Sequence, residues 1–313
     1  MQGIISLGEA LIDFIPKDKN NIIFEKNPGG APANVAVGVS RLESRSAFIG
    51  KVGSDSLGNF LYDTLNKENV NTGNLILTKE AKTALSLVTL DEKGDRSFEF
   101  FVKRSADRLL TKDEIDHNLF EDYKIFHFGS ISMIDELSRE ATKYALDLAV
   151  ENNMIVSYDP NIRESLWEDM DEAKKIMKSV LGKINILKLS REELLFLTNE
   201  VSLEKAVEQI KNKNEIDIVL VTDGSNGVYF YKDELIHVPS QKVKPVDTTG
   251  AGDAFVSAFL NRINETQEEL TKLSNENIKK YCEFANHCSA LVVKKQGAMS
   301  MLPKKEEVID YFE

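Results

Sequence analysis

Apolar and polar positions follow two rhythms along this chain. Ile4 to Leu7 is a short apolar run closed by Gly8, the pattern of a first buried strand. Residues 10–27 mix apolar and polar residues around the turn-rich cluster Asp18-Lys19-Asn20-Asn21, which suits a hairpin. From Ala33, the small and apolar residues Val35, Ala36, Val39 and Leu42 recur at helical spacing. Ser46 to Val52 reads as strand, and Asp55 is placed to cap a helix running to about Glu68. Ala84 to Leu90 and Arg96 to Val102 are β-rich and joined by Asp91-Glu92-Lys93-Gly94-Asp95, a second hairpin signal. The two hairpin regions, about 10–28 and 73–104, predict a small sheet beside the main body and a candidate lid over a site.

After residue 120 the rhythm becomes regular. Ile125 to Phe128, Met154 to Tyr158, Ile184 to Leu189 and Ile216 to Thr222 read as strands. Between them, Leu137, Ala141, Tyr144, Ala145 and Leu148 form one helical face, and further helices are expected over 171–181, 190–198 and 202–212. Two last helices cover about 250–262 and 276–292. Strands alternating with helices of this length predict βαβ units and a mainly parallel sheet covered on both faces. Residues 1–313 are expected to form one α/β domain with a small β insertion.

Composition narrows the function classes. The 313 residues carry a formal net charge of −12, which argues against a binder of nucleic-acid backbones. No apolar run approaches the roughly 18 residues of a membrane span, and no basic region precedes the short apolar stretch at the N-terminus, so neither a membrane span nor a signal peptide is expected. Cys282 and Cys288 are too few for a disulfide framework, and buried free thiols in a reducing cytoplasm fit them. The scattered histidines show no zinc spacing.

The most informative run is Asp247-Thr248-Thr249-Gly250-Ala251-Gly252-Asp253-Ala254-Phe255. Phe255, Ala258 and Phe259 share a helical face, so a buried helix begins at about Gly250. Glycines at 250 and 252 let an anion approach the open amides of that helix N-terminus. Asp253, in the first turn, is placed to accept a proton from an attacking hydroxyl while those amides hold developing charge. A purely structural reading also stands: an acid in a first helical turn favours the dipole without chemistry, and two glycines serve a tight turn. The run is neither a dinucleotide fingerprint, since Phe255 fills its third glycine position, nor a P-loop.

At the other end of the chain, Asn27-Pro28-Gly29-Gly30-Ala31-Pro32-Ala33-Asn34-Val35-Ala36 pairs with this run. The two segments resemble the two signatures of the PfkB (ribokinase-like) carbohydrate kinases, and Gly8-Glu9-Ala10-Leu11-Ile12-Asp13 matches as well. The wording is most similar to the fructokinase branch, in Ser157-Tyr158-Asp159-Pro160-Asn161-Ile162-Arg163, His127-Phe128-Gly129-Ser130-Ile131-Ser132 and Ser105-Ala106-Asp107. The resemblance covers the whole chain. It implies a three-layer α/β/α fold with a β-sheet lid, and transfer of the γ-phosphoryl group of ATP, as its Mg²⁺ complex, to a sugar hydroxyl.

The resemblance also implies roles. Asp253 matches the catalytic base, and Gly250, Ala251 and Gly252 the anion hole. Asp13, Gly29, Gly30, Asn34, Arg104 and Arg163 match sugar contacts, with Phe98 or Phe100 as a cover from the lid; a surface ion pair at Arg163 is the bland alternative. Lys188, Glu193, Thr222, Gly224, Gly227 and Asn286 match the nucleotide side, where Ser190 replaces the usual Asn of an N-x-x-E element. Asp247 and Thr249, with backbone near Val292, Lys295 and Gly297, resemble a monovalent-cation loop and imply K⁺, although Met301 stands where a ligating Ser can occur. D-fructose is the expected acceptor, giving fructose 6-phosphate. Ribose, aminoimidazole riboside and 2-keto-3-deoxygluconate are the alternatives within the class. A silent regulatory relative would have lost Asp253 or its glycines, all of which are present. A homodimer through an exposed lid edge is expected.

Overall fold

A computed structural model describes residues 2–90, 96–102 and 104–311, with the backbone alone at Arg96 and Phe98. The expected turn at Asp91–Asp95 and the side chain of Phe98 lie outside the described residues. The strands are β1 (Ile4–Leu7), β2 (Leu11–Pro16), β3 (Phe24–Gly29), β4 (Ser46–Gly53), β5 (Asn71–Thr78), β6 (Leu85–Leu90), β7 (Arg96–Phe100), β8 (Ile125–Gly129), β9 (Ile155–Asp159), β10 (Ile186–Ser190), β11 (Ile218–Thr222), β12 (Val228–Tyr231) and β13 (Leu235–Val238). The helices are α1 (Ala31–Arg41), α2 (Ser56–Lys67), α3 (Glu136–Glu151), α4 (Met170–Lys178), α5 (Arg191–Thr198), α6 (Leu203–Asn214), α7 (Ala251–Glu265) and α8 (Asn275–Val292).

Nine strands form one sheet in the order β13-β12-β11-β10-β9-β8-β1-β4-β5, parallel from β11 to β5. Strands buried on both faces alternate between two cores. Ile4 points into the cluster beneath α7 and α8, whereas Ile5 and Leu7 point into the cluster beneath α3 to α6. This is the three-layer α/β/α arrangement that the sequence predicts. The chain runs outward from β1 in both directions, through β4 to β5 and through β8 to β11, so β1 and β8 flank the topological switch point. Crevices outside the carboxyl ends of strands form at such points, and Gly8-Glu9 and Ser130-Ile131 follow β1 and β8 directly.

A second sheet, ordered β3-β2-β6-β7, stands beside the first. Its boundary differs from the expectation. Residues 73–78 belong to β5, which pairs in parallel with β4 at the edge of the large sheet, so the small sheet takes only β6 and β7 from the later segment. The burial pattern of β5 is irregular, and its polar positions at Asn71 and Gly73 masked its membership. The hairpin of β12 and β13 has no counterpart in the sequence expectation; its two strands of four residues carry too short an alternation to stand out. Asp55 caps α2 as expected, accepting from Leu57 N and Gly58 N, and also accepts from Thr83 N at 3.0 Å, tying the root of β6 to α2.

Helices α1 and α7 pack closely because small residues line their contact. A Cβ on Gly38 would meet Ser257 Oγ at 2.4 Å and Ser257 Cβ at 2.7 Å. Backbone contact of this kind tolerates no added methyl without a shift of one helix. Gly38→Ala is expected to cost about 1–3 kcal/mol of stability, read as a lower urea midpoint at unchanged m-value.

Candidate active site

Two helix N-termini and the ends of β1, β9 and β10 converge on a cleft of about 770 Å³. Gly30 precedes α1 with φ 101°, and a Cβ there would meet Glu9 O at 2.3 Å. Only glycine fits this left-handed, backbone-crowded position. Glu9 Oε1 accepts from Ala31 N at 3.0 Å, holding the first turn of α1 against the end of β1. Asn34, one turn further along, is buried and lines the cleft. Asp13 on β2 lines it too; Oδ1 accepts from Ser86 Oγ, and a Cβ on Gly29 would meet its Oδ2 at 2.3 Å.

The Gly-rich run enters from the opposite side. Gly250 has φ 78° and a Cβ there would lie 3.0 Å from Ala298 Cα. Ala251 N closes a turn on Thr248 O at 3.3 Å, and Ala254 N makes a regular helical bond to Gly250 O at 2.8 Å. The amides of Gly252 and Asp253 therefore sit among the orphan donors of a helix N-terminus, where the dipole favours an anion. Asn34 Nδ2 donates to Asp253 Oδ2 at 2.7 Å, joining the two sequence signatures in one contact. Asn34 Oδ1 is buried with no partner among the described residues. Asp253 is pushed up to about 6, first by loss of hydration; the Asn34 bond opposes this and Asp159 adds to it, while Lys188 and Arg163 pull it down.

Lys188 on β10 is buried and pairs with Asp159 Oδ2 at 2.9 Å. Burial acts to lower Lys188, but Asp159 and Glu193 outweigh it and the ammonium is held above its ordinary range. Its Nζ lies 3.3 Å from where a Gly252 Cβ would be, so a cation faces the glycine-lined helix end. Arg163 is exposed, lines the same cleft and acts on Asp253 through its charge, while its Nη1 donates to Ile162 O at 3.2 Å. A side chamber of about 300 Å³ continues past Asn161, Arg163 and Lys188 to Ser190 and Glu193. Ser190 and Glu193 form a capping box, and Glu193 also accepts from Ile162 N at 2.6 Å. Burial first, then Asp159, raises Glu193.

Several expected site residues lie elsewhere. Arg104 is exposed and does not line the cleft. Thr222, Gly224 and Gly227 sit beside Ser190 at the end of β11 but do not line either space; Gly227 is needed because a Cβ would meet Val238 O at 2.2 Å. Asn286 is buried and donates to Val238 O at 3.1 Å and Pro239 O at 3.4 Å, tying α8 to the end of β13. In the loop resembling a cation site, Asp247 Oδ1 accepts from Thr249 N and Oδ2 from Gly297 N, each at 2.9 Å. Val292 O accepts from Lys295 N, and Lys295 Nζ pairs with Glu307. Among the described residues no group of three or more His, Cys, Asp or Glu could hold a metal.

Glu9, Phe100, Ile131 and Asn161 line the cleft without having been singled out individually as site residues, Phe100 excepted as a possible cover. Glu9 is 3% exposed and pushed up to about 7, chiefly by burial, with the amides of Glu9 and Ala31 opposing. Its signal was an acid set among Gly8, Ala10 and Leu11 immediately after a buried strand.

The model of the family described as pfkB family carbohydrate kinase matches residues 1–305. The chain is 42% identical over 314 residues to a probable fructokinase-2 of Arabidopsis thaliana, covering 98% of this chain and 95% of that one. Among solved structures, a double mutant of the fructokinase from Vibrio cholerae O395, with fructose, ADP and a potassium ion bound, superposes with a TM-score of 0.90 at 36% identity, covering 100% and 99% of the two chains. The ATP-bound fructokinase of Xylella fastidiosa gives 0.92 at 35% identity, covering 99% and 98%.

Removing one partner of the Lys188–Asp159 pair strands the other in the interior. Lys188→Met is expected to cost about 3–5 kcal/mol, measured by urea unfolding, while Lys188→Arg should retain more of that stability.

Proposed function

The chain belongs to the pfkB family of carbohydrate kinases, and from that premise we propose that it transfers the γ-phosphoryl group of ATP to the 6-hydroxyl of D-fructose. The observation that carries the reading is the hydrogen bond from Asn34 to Asp253 at the junction of both helix N-termini, which sets a base beside an anion cradle. The sugar lies against Asp13, Gly29, Gly30 and Asn34, with Arg163 at its side. Asp253 takes the proton of the acceptor hydroxyl as the oxygen attacks the γ-phosphorus. The bond from that phosphorus to the β–γ bridging oxygen breaks, and its electron pair leaves with ADP. The α7 amides at Gly252 and Asp253, together with the Lys188 ammonium, face the charge that develops on the transferring group. The Ala251 amide joins them by releasing its long bond to Thr248 O.

The nucleotide extends along the ends of β10 and β11, past Ser190, Glu193, Thr222, Gly224 and Gly227. Mg²⁺ arriving with ATP would lie on the side of Ser190 and Glu193 and would neutralise phosphate charge; the donor set suits an ion that arrives with its nucleotide, since Glu193 already holds two backbone amides. Asp247 and Thr249, with the chain near Val292, Lys295 and Gly297, would hold K⁺, which would add positive charge beside the N-terminus of α7. Asn286 supports the nucleotide end indirectly, through the chain at Val238 and Pro239. The small sheet acts as a lid, with Leu11 and Asp13 of β2 and Phe100 of β7 on the cleft wall. The cytoplasm suits the two buried free thiols.

ADP release that depends on fructose, measured with Mg²⁺-ATP, tests the reading; a rate no greater with fructose than without it removes the substrate assignment. Asp253→Asn should lower turnover roughly 10²–10⁴-fold with an unchanged far-UV spectrum. The base works ionised, so kcat/KM should fall as pH drops through about 6 and level off above it. β7 ends the small sheet on one side and Phe101 is 55% exposed beside it. A second copy pairs there, and sedimentation should give twice the chain's 35.2 kDa; a monomer mass at micromolar concentration removes the dimer.

A further inference from the structure

Off the sugar end of the cleft opens a recess of about 20 Å³, walled in part by Glu9, Leu11, Phe100 and Ile131, which also line the cleft itself. That space fits a single water or a single hydroxyl group. Most of its wall is apolar, with Ala84, Leu85 and Leu166 among the remainder. Its polar side is formed by Ser105, whose hydroxyl bonds the Asp107 carboxylate, and by Asp107 and Arg108 from the short helical turn at Ala106–Leu109.

Asp107 is 8% exposed, and its Oδ1 is buried with no partner among the described residues. Its Oδ2 lies 3.5 Å from Arg108 Nε. Arg108, equally buried, is already committed to Asp135 Oδ2 at 2.7 Å. A buried carboxylate oxygen without a donor is costly, and a native chain keeps one where a ligand supplies the missing hydrogen. Glu9 stands across the recess with Oε1 held by Ala31 N. Burial raises both carboxyls; Asp107 adds to the rise at Glu9, while Arg108, the Ser105 side chain and the Asp107 amide oppose the rise at Asp107.

We propose that Asp107 is a specificity-determining residue whose Oδ1 accepts a hydrogen bond from a neutral hydroxymethyl group at the end of the sugar remote from the phosphorylated hydroxyl. Asp253 does not line the recess whereas Glu9 lines both spaces, so the hydroxyl read here is remote from the one that reacts. The acceptor class that follows is a neutral ketose or polyol. A sugar acid carrying its carboxylate at that remote end would bring a second acceptor and a like charge to Asp107, with Arg108 already engaged. This selection deepens the fructose reading and rests on it. For fructose phosphorylated at carbon 6, the group in the recess is the 1-hydroxyl.

The test compares D-fructose, 1-deoxy-D-fructose and 2-keto-3-deoxygluconate as acceptors for wild type and Asp107→Asn. In the variant, the amide oxygen turns to Arg108 and its NH₂ points into the recess, replacing an acceptor by a donor. Wild type should prefer fructose over the 1-deoxy sugar by about tenfold or more in kcat/KM. Asp107→Asn should shrink that ratio to below about threefold, leave the KM for ATP unchanged, and raise the sugar acid relative to fructose. Ala84→Val, which fills the recess without touching the carboxylate, should erase the same preference and keeps the test open if Asp107→Asn does not fold. Equal treatment of both neutral sugars by wild type, or an equal loss on both in the variants, overturns the inference. If wild type turns over another neutral sugar instead of fructose, the fructose reading alone falls, and the matching deoxy analogue of that sugar decides the recess. A wild-type preference for the sugar acid overturns both.

Discussion

The structure depends on the close approach of α1 and α7. Gly38 and Ser257 bring the two helices to near backbone contact, and that spacing sets Asn34 2.7 Å from Asp253. Each helix brings its own device to the cleft. The N-terminus of α1 carries the crowded glycine pair and Asn34, while that of α7 carries the open amides and Asp253. Neither device is complete on its own strand-to-helix unit. A helix displaced by the width of one methyl group would separate the carboxylate from the amide that orients it and would leave the amides of α7 facing empty space.

Charge in the cleft is arranged around this contact. Burial is the main force that raises Asp253, and the charge of Asp159 adds to it. Lys188 lies between the two acids, neutralising Asp159 directly and drawing down Asp253 from a distance. The resulting base is weakly held near neutrality instead of being a strong acid buried against its will. Glu193, further along, is occupied by backbone amides of the α5 cap and of Ile162. It shapes the route of the chain past the phosphate end more than it offers free oxygens.

Local patterns made much of this readable in advance. Helix periodicity and short apolar runs carry the order of βαβ units, because those signals reside within one element. Asp253 with Gly250 and Gly252 was legible for the same reason: glycine, acid and helix start lie within four residues. What escaped depends on partners distant in sequence. β5 shows no clean alternation and takes its place from β4. Asn286 has the chemistry of a ligand-binding amide, yet its acceptors are Val238 at the end of β13, an unpredicted strand, and Pro239 just past it. Asp159 and Lys188 are 29 residues apart, and nothing in either neighbourhood says they meet. Arg104 stands outside the cleft wall and exposed, which its place in a motif does not disclose.

The Asn34–Asp253 contact spans 219 residues of chain, and this has a bearing on synthesis. A ribosome makes the N-terminal portion first, and domains assemble as their segments emerge. β1, α1 and most of the large sheet can gather while the base and its cradle are still untranslated. A truncated or stalled chain therefore carries the Asn34 side of the cleft but neither Asp253 nor the open amides of α7. The cleft gains its second wall only when the last quarter of the polypeptide docks, so unfinished copies are left with half of it.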